Sequence, residues 1–218
     1  KQMKIFLDSA HIEDIKKAYD MGAISGVTTN PSIISRENRK FEDLLNEITS
    51  IIVDGPVFAE VLSVDAEGMI EEGRKLAKKS KNIVVKIPMI PEGLKAVKTL
   101  SSEGITVCNT VVFSASQAIL SANAGASYVA PFVGRLDDIG EDGLCLCQEI
   151  RDIFDAQGID TKIVAASVRH PVHVNALAKM GVDIATMPFK VIMQMATNPN
   201  SQRAVEGFLK DWEKVPKE

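Results

Sequence analysis

The architecture of the chain follows from a unit that is clearest in residues 83–111, "IVVKIPMIPEGLKAVKTLSSEGITVCNTV". Nearly continuous apolar runs at Ile83–Ile87 and Thr106–Val111 predict strands that are covered on both faces. Between them, Pro91–Leu100 has the pattern of an amphipathic helix, and Gly104 supplies the left-handed residue that ends such helices. A strand, a helix and a strand in this order predict two parallel strands joined by a right-handed crossover.

The same unit recurs along the whole chain. Apolar runs predict eight strands, at Lys4–Asp8, Gly26–Thr28, Val57–Leu62, Ile83–Ile87, Thr106–Val111, Tyr128–Phe132, Lys162–Ala166 and Ile184–Met187. A glycine separates a helix from the next strand at five connections, at Gly22, Gly104, Gly125, Gly158 and Gly181. Helical patterns such as Asp65–Lys79 fill the intervals. Eight such units predict an α/β fold, a single (β/α)8 TIM barrel domain over residues 1–218.

A doubly wound open sheet is the competing architecture. It is disfavoured because "FLDSAHIE" (6–13), and not a glycine-rich phosphate fingerprint, stands at the first strand and the turn after it. Beyond the eighth strand, helices are predicted at Lys190–Ala196 and Gln202–Lys214, the second forming a C-terminal arm at about 202–214. Large apolar residues lie on one side of this arm: Phe208, Leu209 and Trp212. Either the arm closes the bottom of the barrel or it docks on a neighbouring subunit.

Composition excludes several classes of function. Of the 218 residues, 45% are hydrophobic and 25% are charged, and the formal net charge is −4. This balance gives no sign of a surface for nucleic acid or an anionic membrane. No apolar run approaches the roughly 18 residues of a membrane span, so we expect a soluble cytoplasmic protein.

The cysteines and histidines predict neither disulfides nor a metal site. The chain has three cysteines: Cys108, Cys145 and Cys147. Because their number is odd and cysteine is usually buried, we expect reduced thiols in the core. The three histidines are His11, His170 and His173. No two of them have the i, i+4 spacing by which a helix presents two metal ligands on one face.

Polar side chains end seven of the eight predicted strands. In chain order these ends offer Asp8; Thr28, Thr29 and Asn30; Glu60; Lys86; Cys108 and Thr110; Phe132 and Arg135; Ser167 and Arg169. The eighth end, "ATMPF", is read as apolar. Taken singly, Asp8 could cap a helix, and Arg135 could pair with Asp137 or Asp138. Their convergence on the C-terminal face of a barrel instead predicts an active site there.

Lys86 is the candidate nucleophile. Alternation in "VVKI" puts Val84 and Lys86 on one face of the strand and Val85 and Ile87 on the other. Apolar surroundings and a nearby cation would both disfavour the charged amine, leaving a neutral nucleophile that forms a Schiff base with a carbonyl. The alternatives are a lysine that reaches solvent and a lysine paired with a buried carboxylate.

The neighbouring ends supply the other groups that such a reaction needs. Asp8 and Glu60 are carboxylates available for proton transfer, and Thr110 could hold a water between acid and amine. Arg135, Ser167 and Arg169 have the composition of a phosphate clamp. Together these groups suggest an aldolase-type reaction on a phosphorylated sugar.

Five motifs resemble the transaldolase family, in its short single-barrel form, which is related to fructose-6-phosphate aldolase. They are "GVTTNPSII" (26–34), "VVKIPM" (84–89), "FS" with "QA" (113–118), "PFVGRLDDIGEDG" (131–143) and "AASVRHP" (165–171). The resemblance implies transfer of a dihydroxyacetone unit from fructose 6-phosphate or sedoheptulose 7-phosphate to erythrose 4-phosphate or glyceraldehyde 3-phosphate, in the pentose phosphate pathway. It implies no metal or organic cofactor. It also implies ring-shaped homo-oligomers, often decamers, in which C-terminal helices embrace neighbours.

The resemblance also implies a role for each matching residue. Lys86 would be the Schiff-base lysine, Asp8 the general acid/base, and Glu60 with Thr110 the pair that positions a catalytic water. Asn30 would contact the hydroxyl groups of the substrate, and Phe132 would lie beside the substrate. The phosphate group would be bound by Arg135, Ser167 and Arg169.

Four positions bear on the exact activity. The related aldolases, which use free dihydroxyacetone, carry Gln at the position of Glu60 and Tyr at that of Phe132, so this chain matches the transaldolases there. Cys108, an atypical site residue, stands where transaldolases usually carry Asn, and Ala130 where many carry Ser. Two alternatives therefore remain: an aldolase using free dihydroxyacetone, and a sugar-phosphate-binding barrel with impaired turnover.

Overall fold

Eight parallel strands close into a barrel in chain order in the computed structural model, which describes residues 2–216. The predicted (β/α)8 barrel is therefore confirmed. The strands are β1 (Lys4–Asp8), β2 (Val27–Thr28), β3 (Val57–Glu60), β4 (Ile83–Pro88), β5 (Val107–Val112), β6 (Tyr128–Pro131), β7 (Lys162–Ala165) and β8 (Ile184–Met187).

Helices surround the barrel and connect its strands. Over the described residues they are α1 (Ile12–Asp20), α2 (Pro31–Ser35), α3 (Phe41–Ile51), α4 (Ala66–Lys79), α5 (Pro91–Ser102), α6 (Ala115–Asn123), α7 (Val133–Asp137), α8 (Gly143–Gln157), α9 (Pro171–Met180), α10 (Phe189–Ala196) and α11 (Pro199–Trp212). The five predicted glycine turns all have positive φ, which is the conformation that favours glycine. At Gly158 and Gly181 the left-handed residue directly caps α8 and α9.

The core has two layers, and alternation along the strands separates them. Val85 and Ile87 of β4 pack outward with the helices, whereas Val84 belongs to a small cluster inside the barrel. The interior cluster contains Phe6, Phe58, Val84, Cys108, Ala130, Phe132, Val164 and Ile184. Edge-to-face contacts join Phe58 to Phe6 (centroids 5.8 Å apart) and to Tyr128 (5.1 Å). These rings fill the barrel interior.

Helix α11 buries none of its residues. Its apolar side chains are largely exposed, with Phe208 and Trp212 each 72% accessible and Leu209 63%. A helix that closed the barrel by packing would bury this side, so the first of the two alternatives for the arm does not describe the structure.

The free thiols differ in their surroundings. Cys108 and Cys147 are buried, but Cys145 is exposed, so its predicted place in the core was wrong. Cys145 and Cys147 are two residues apart in α8 and therefore face different sides of that helix. No helix within residues 2–216 is both long and apolar enough to cross a membrane.

Candidate active site

A cavity of about 100 Å³ opens at the C-terminal ends of the strands, and every strand or its following loop contributes to the wall. The lining residues are Asp8, Thr28, Asn30, Phe58, Lys86, Cys108, Ala130, Phe132, Arg135, Val164, Ala166, Ser167 and Thr186. Most of the predicted site residues thus surround one small space. Glu60, Thr110 and Arg169 do not line it.

Lys86 is buried and ion-paired. Its Nζ donates a hydrogen bond to the Thr29 carbonyl oxygen (2.8 Å) and lies 3.3 Å from Oε2 of Glu60. The two side chains are only 6% and 13% exposed, and they face each other because Glu60 and Lys86 are paired residues of β3 and β4. The structure thus contains the buried carboxylate partner that was the alternative reading of this lysine. A proton must leave Nζ before this amine can attack a carbonyl.

Asp8 ends a short chain of hydroxyl groups. Thr28 Oγ1 donates to Asp8 Oδ1 (2.7 Å) and lies 2.5 Å from Thr186 Oγ1. Burial raises the pKa of Asp8, against the opposing effects of Lys86, the Thr28 hydrogen bond and Arg36. A carboxyl group with a raised pKa, at the wall of a cavity shared with an amine, is a candidate to accept and return a proton.

Thr186 is a site residue that the sequence reasoning missed. The end of β8 was read as apolar, yet Thr186 is buried in the cavity wall. Alternation could have found it, because Ile184 lies inside the barrel and Thr186 is two residues further on the same face.

Thr110 is buried without a hydrogen-bond partner for its Oγ1 among the described residues. In the ladder between β4 and β5, Thr110 pairs with Pro88. Cys108, two residues earlier in β5, pairs with Lys86. The ladder to β6 is irregular between Asn109 and Val112. The hydroxyl thus remains able to hold a polar ligand, as proposed for a catalytic water, but Thr110 does not itself form the cavity wall.

Cys108 is fully buried inside the barrel and lines the cavity. Burial raises the pKa of its thiol to about 12, although Lys86 acts in the opposite direction. Cys108 is therefore a neutral thiol at physiological pH, and it presents a weak hydrogen-bonding group to a ligand.

The residues predicted as a phosphate clamp are only partly assembled. Arg135 and Ser167 line the cavity, and the Arg135 guanidinium carbon lies 5.1 Å from the centroid of the Phe132 ring. Ser167 has φ 57°, an unusual conformation for a residue with a side chain and one that often marks functional sites. Arg169 instead binds Asp138 through both Nη atoms.

Asp137 and Asn30 hold the loops around the cavity. Asp137 Oδ2 lies 3.0 Å from Nε2 of His173, and its Oδ1 accepts from the backbone N–H of Gly143. Asn30 caps α2 by accepting a hydrogen bond from Ile33 N (2.9 Å), which fixes its side chain at the cavity. No group of three or more His, Cys, Asp or Glu residues within 2–216 is arranged to hold a metal ion.

A larger groove, about 760 Å³, lies at the opposite end of the barrel, where β6 and β7 begin. Its ionisable lining residues are Tyr128, Asp160 and Lys162. The Lys162 ammonium lies over the face of the Tyr128 ring, 5.6 Å from its centroid. The smaller cavity is the better candidate for catalysis because its wall combines the buried amine of Lys86 with the carboxyl group of Asp8.

Comparison with known proteins gives a consistent result. The sequence profile described as Transaldolase/Fructose-6-phosphate aldolase matches residues 5–218. A protein named probable transaldolase from Caldicellulosiruptor saccharolyticus is 60% identical over 216 residues, which are 99% of each chain. A probable transaldolase from Heliobacterium modesticaldum is 57% identical over 98% of this chain and 99% of its own. Probable transaldolase 1 from Listeria monocytogenes is 57% identical over 99% of this chain and its whole length.

Proposed function

The chain belongs to the transaldolase/fructose-6-phosphate aldolase family, and we propose that it is a transaldolase that works through a Schiff base on Lys86. The donors would be fructose 6-phosphate or sedoheptulose 7-phosphate, and the acceptors erythrose 4-phosphate or glyceraldehyde 3-phosphate, in the pentose phosphate pathway. The observation that carries the proposal is a buried lysine at the barrel mouth, held by Glu60 and the Thr29 carbonyl, beside a carboxyl group with a raised pKa.

The first half of the reaction would proceed as follows. Nζ of Lys86 gives a proton to Glu60 and attacks the C2 carbonyl of the ketose phosphate to form a carbinolamine. Glu60 returns the proton to the carbinolamine hydroxyl, which leaves as water and gives a protonated Schiff base. Asp8 then takes the proton of the C4 hydroxyl, the C3–C4 bond breaks, and its electron pair moves into the iminium to give an enamine. The aldose phosphate leaves, and the three-carbon unit stays on Lys86.

The second half reverses these steps on a new aldehyde. The enamine carbon attacks the acceptor carbonyl, and Asp8 returns the proton to the new hydroxyl. Water then releases the ketose phosphate from Lys86. Glu60 lies against the amine, where it can exchange a proton with it. Together with the hydroxyl of Thr110, which has no hydrogen-bond partner within residues 2–216, it would position that water.

Substrate binding is assigned to the wall of the same cavity. Asn30 would contact sugar hydroxyls, and Arg135 with Ser167 would bind phosphate, joined by Arg169 once it is free of Asp138. Phe132 has no hydroxyl with which to hold a water near the enamine, so the enamine should survive until the acceptor arrives. This last point favours transfer over release of free dihydroxyacetone.

An acceptor-dependence assay tests the proposed reaction. Fructose 6-phosphate is supplied with and without erythrose 4-phosphate, and glyceraldehyde 3-phosphate formation is followed by a coupled assay. We expect turnover only when the acceptor is present. Steady turnover without it, with free dihydroxyacetone as product, would establish the aldolase, and a Schiff base without turnover in either case would establish the binding protein.

We also propose that the protein is a cytoplasmic homo-oligomer, a ring such as a decamer, in which α11 packs on a second copy. The support is the exposed apolar side of α11, formed by Val205, Phe208, Leu209 and Trp212 at helical spacing. Sedimentation velocity of the full chain should give a multiple of the 23.6 kDa protomer. The double variant Phe208→Asp, Trp212→Asp should sediment as a smaller species, whereas an unchanged sedimentation coefficient would exclude this role for α11.

A further inference from the structure

The guanidinium of Arg169 is occupied by a carboxylate beside the cavity. Its Nη2 donates to Oδ2 of Asp138 at 2.6 Å, and Nη1 donates to Oδ1 of the same residue. This two-pronged contact uses the edge of the guanidinium that also binds phosphate. Both side chains are about half exposed, 47% and 49%. The two charged groups therefore stay in contact with water when the pair separates.

The pair is joined to the cavity through α7. Asp138 follows the last residue of that helix and stands three residues after Arg135, so both project from one side of a single helical turn. The Arg169 stem crosses Gly134 so closely that a Cβ there would lie 2.5 Å from Nε. Gly134 also donates its N–H to the Ser167 carbonyl oxygen (2.9 Å).

This packing brings one anion against two cations. The hydrogen bonds from Arg169 lower the pKa of Asp138, and the charge of Arg135 acts in the same direction. Asp138 is therefore ionised throughout the neutral range. While the pair persists, the edge of Arg169 formed by Nη1 and Nη2 is not available for a bidentate contact with another anion.

We propose that Asp138 is an internal counter-anion that holds Arg169 in the free protein and is displaced by the phosphate of the substrate. The inference rests on the proposed function through one assignment, that the phosphate binds at Arg135, Ser167 and Arg169. Asp138 then sets the affinity of the site for anions. A phosphate dianion displaces it more readily than a carboxylate does, because the dianion carries more charge, so the pair favours phosphorylated sugars over sugar acids.

The alternative role for Asp138 is that of a brace, which positions Arg169 for the substrate. The two roles predict opposite results. If Asp138 competes with phosphate, its neutralisation strengthens phosphate binding; if it positions Arg169, neutralisation weakens that binding.

The test uses Asp138→Asn in the full-length protein, with Glu141→Gln as the matched control. Glu141 is an exposed residue of the same loop, so its replacement removes one negative charge without touching Arg169. Titration calorimetry with inorganic phosphate gives Kd, and borohydride trapping of unphosphorylated dihydroxyacetone gives a ligand that does not use the phosphate site. The melting temperature of each variant verifies that it is folded.

We expect Asp138→Asn to lower the Kd for phosphate about twofold to fivefold, the range set by a half-exposed ion pair. Glu141→Gln should change it much less, dihydroxyacetone trapping should be unaffected by both, and Arg169→Ala added to Asp138→Asn should remove the gain. An unchanged or higher Kd for folded Asp138→Asn overturns the proposal. Absence of dihydroxyacetone trapping in the unmodified protein would overturn the proposed function instead, while a lowered Kd would still support the counter-anion.

Discussion

Replacing Cys108 with asparagine should raise turnover and lower stability. Cys108 is fully buried, lines the cavity and stands where the resemblance implies an amide. Asparagine has nearly the volume of cysteine, so the barrel interior can accept it, and its amide would add a hydrogen bond to substrate held on Lys86. A net hydrogen bond contributes roughly 0.5–1.5 kcal/mol, which corresponds to about a twofold to tenfold increase in kcat/KM if it forms in the transition state.

The same amide has a cost in the empty protein. Its neighbours inside the barrel are apolar, among them Phe58, Val84 and Ala130. Burial of an amide without a partner costs about 1–3 kcal/mol in proteins. For a chain of this size each kcal/mol lowers Tm by about 2–4 °C, so the variant should melt several degrees below the parent.

The assay is a coupled measurement of glyceraldehyde 3-phosphate release, with fructose 6-phosphate and erythrose 4-phosphate as substrates, accompanied by thermal unfolding. Cys108→Ala is the control, because it removes the thiol without adding an amide, and it should not gain activity. Unchanged or lower turnover in a folded Cys108→Asn variant would refute this reasoning and would show that the thiol is suited to its own substrate.

Three further predictions concern buried groups near or inside the barrel. Because burial raises the pKa of Asp8, ionisation of Asp8 weakens the fold as pH rises from about 4, the ordinary carboxyl value, through the raised pKa. Asp8→Asn should lose activity because it removes the proposed acid/base. Its free energy of unfolding relative to that of the parent, measured in urea, should increase between pH 4.5 and 7.5. Iodoacetamide at pH 8 should modify exposed Cys145, whereas Cys108 and Cys147, whose pKa values burial raises to about 12, are almost wholly protonated and should react only after unfolding. Thr186→Val should lower kcat about threefold to tenfold through loss of one hydrogen bond in the chain that ends at Asp8, and Thr186→Ser should retain most of it.

Each of these predictions has a contrary outcome. A stability difference for Asp8→Asn that is constant with pH would mean that ionisation of this carboxyl does not oppose folding. Alkylation of Cys108 in the native protein would contradict its burial, and full activity of Thr186→Val would mean that the hydroxyl chain does not support Asp8.

The backbone architecture was predictable because its signals are local. A left-handed glycine that follows an amphipathic pattern, such as Gly104 or Gly181, marks the end of that helix, and the apolar run after it forms a strand. The observed strand ends differ from the predicted ones by at most two residues, as at β3, which ends at Glu60 and not at Leu62. Alternation likewise placed Val84 inside the barrel.

The site was predictable as a set of positions and less so as a set of contacts. Which aspartate takes Arg169 depends on rotamers and loop geometry around α7, where Asp137 and Asp138 are adjacent in sequence. The carboxylate partner of Lys86 follows from the register between β3 and β4, which the sequence does not state. Cys145 is exposed because its position on α8 overrides the usual tendency of cysteine to be buried.

The central claim is that Lys86 forms a Schiff base with a ketose phosphate. Incubation with fructose 6-phosphate and borohydride, followed by intact-mass and peptide analysis, tests it most directly. The reduced adduct of a three-carbon unit should appear on the peptide that contains Lys86 and should be absent from a folded Lys86→Ala variant. No added mass on the protein, or equal added mass on Lys86→Ala, would contradict the assignment.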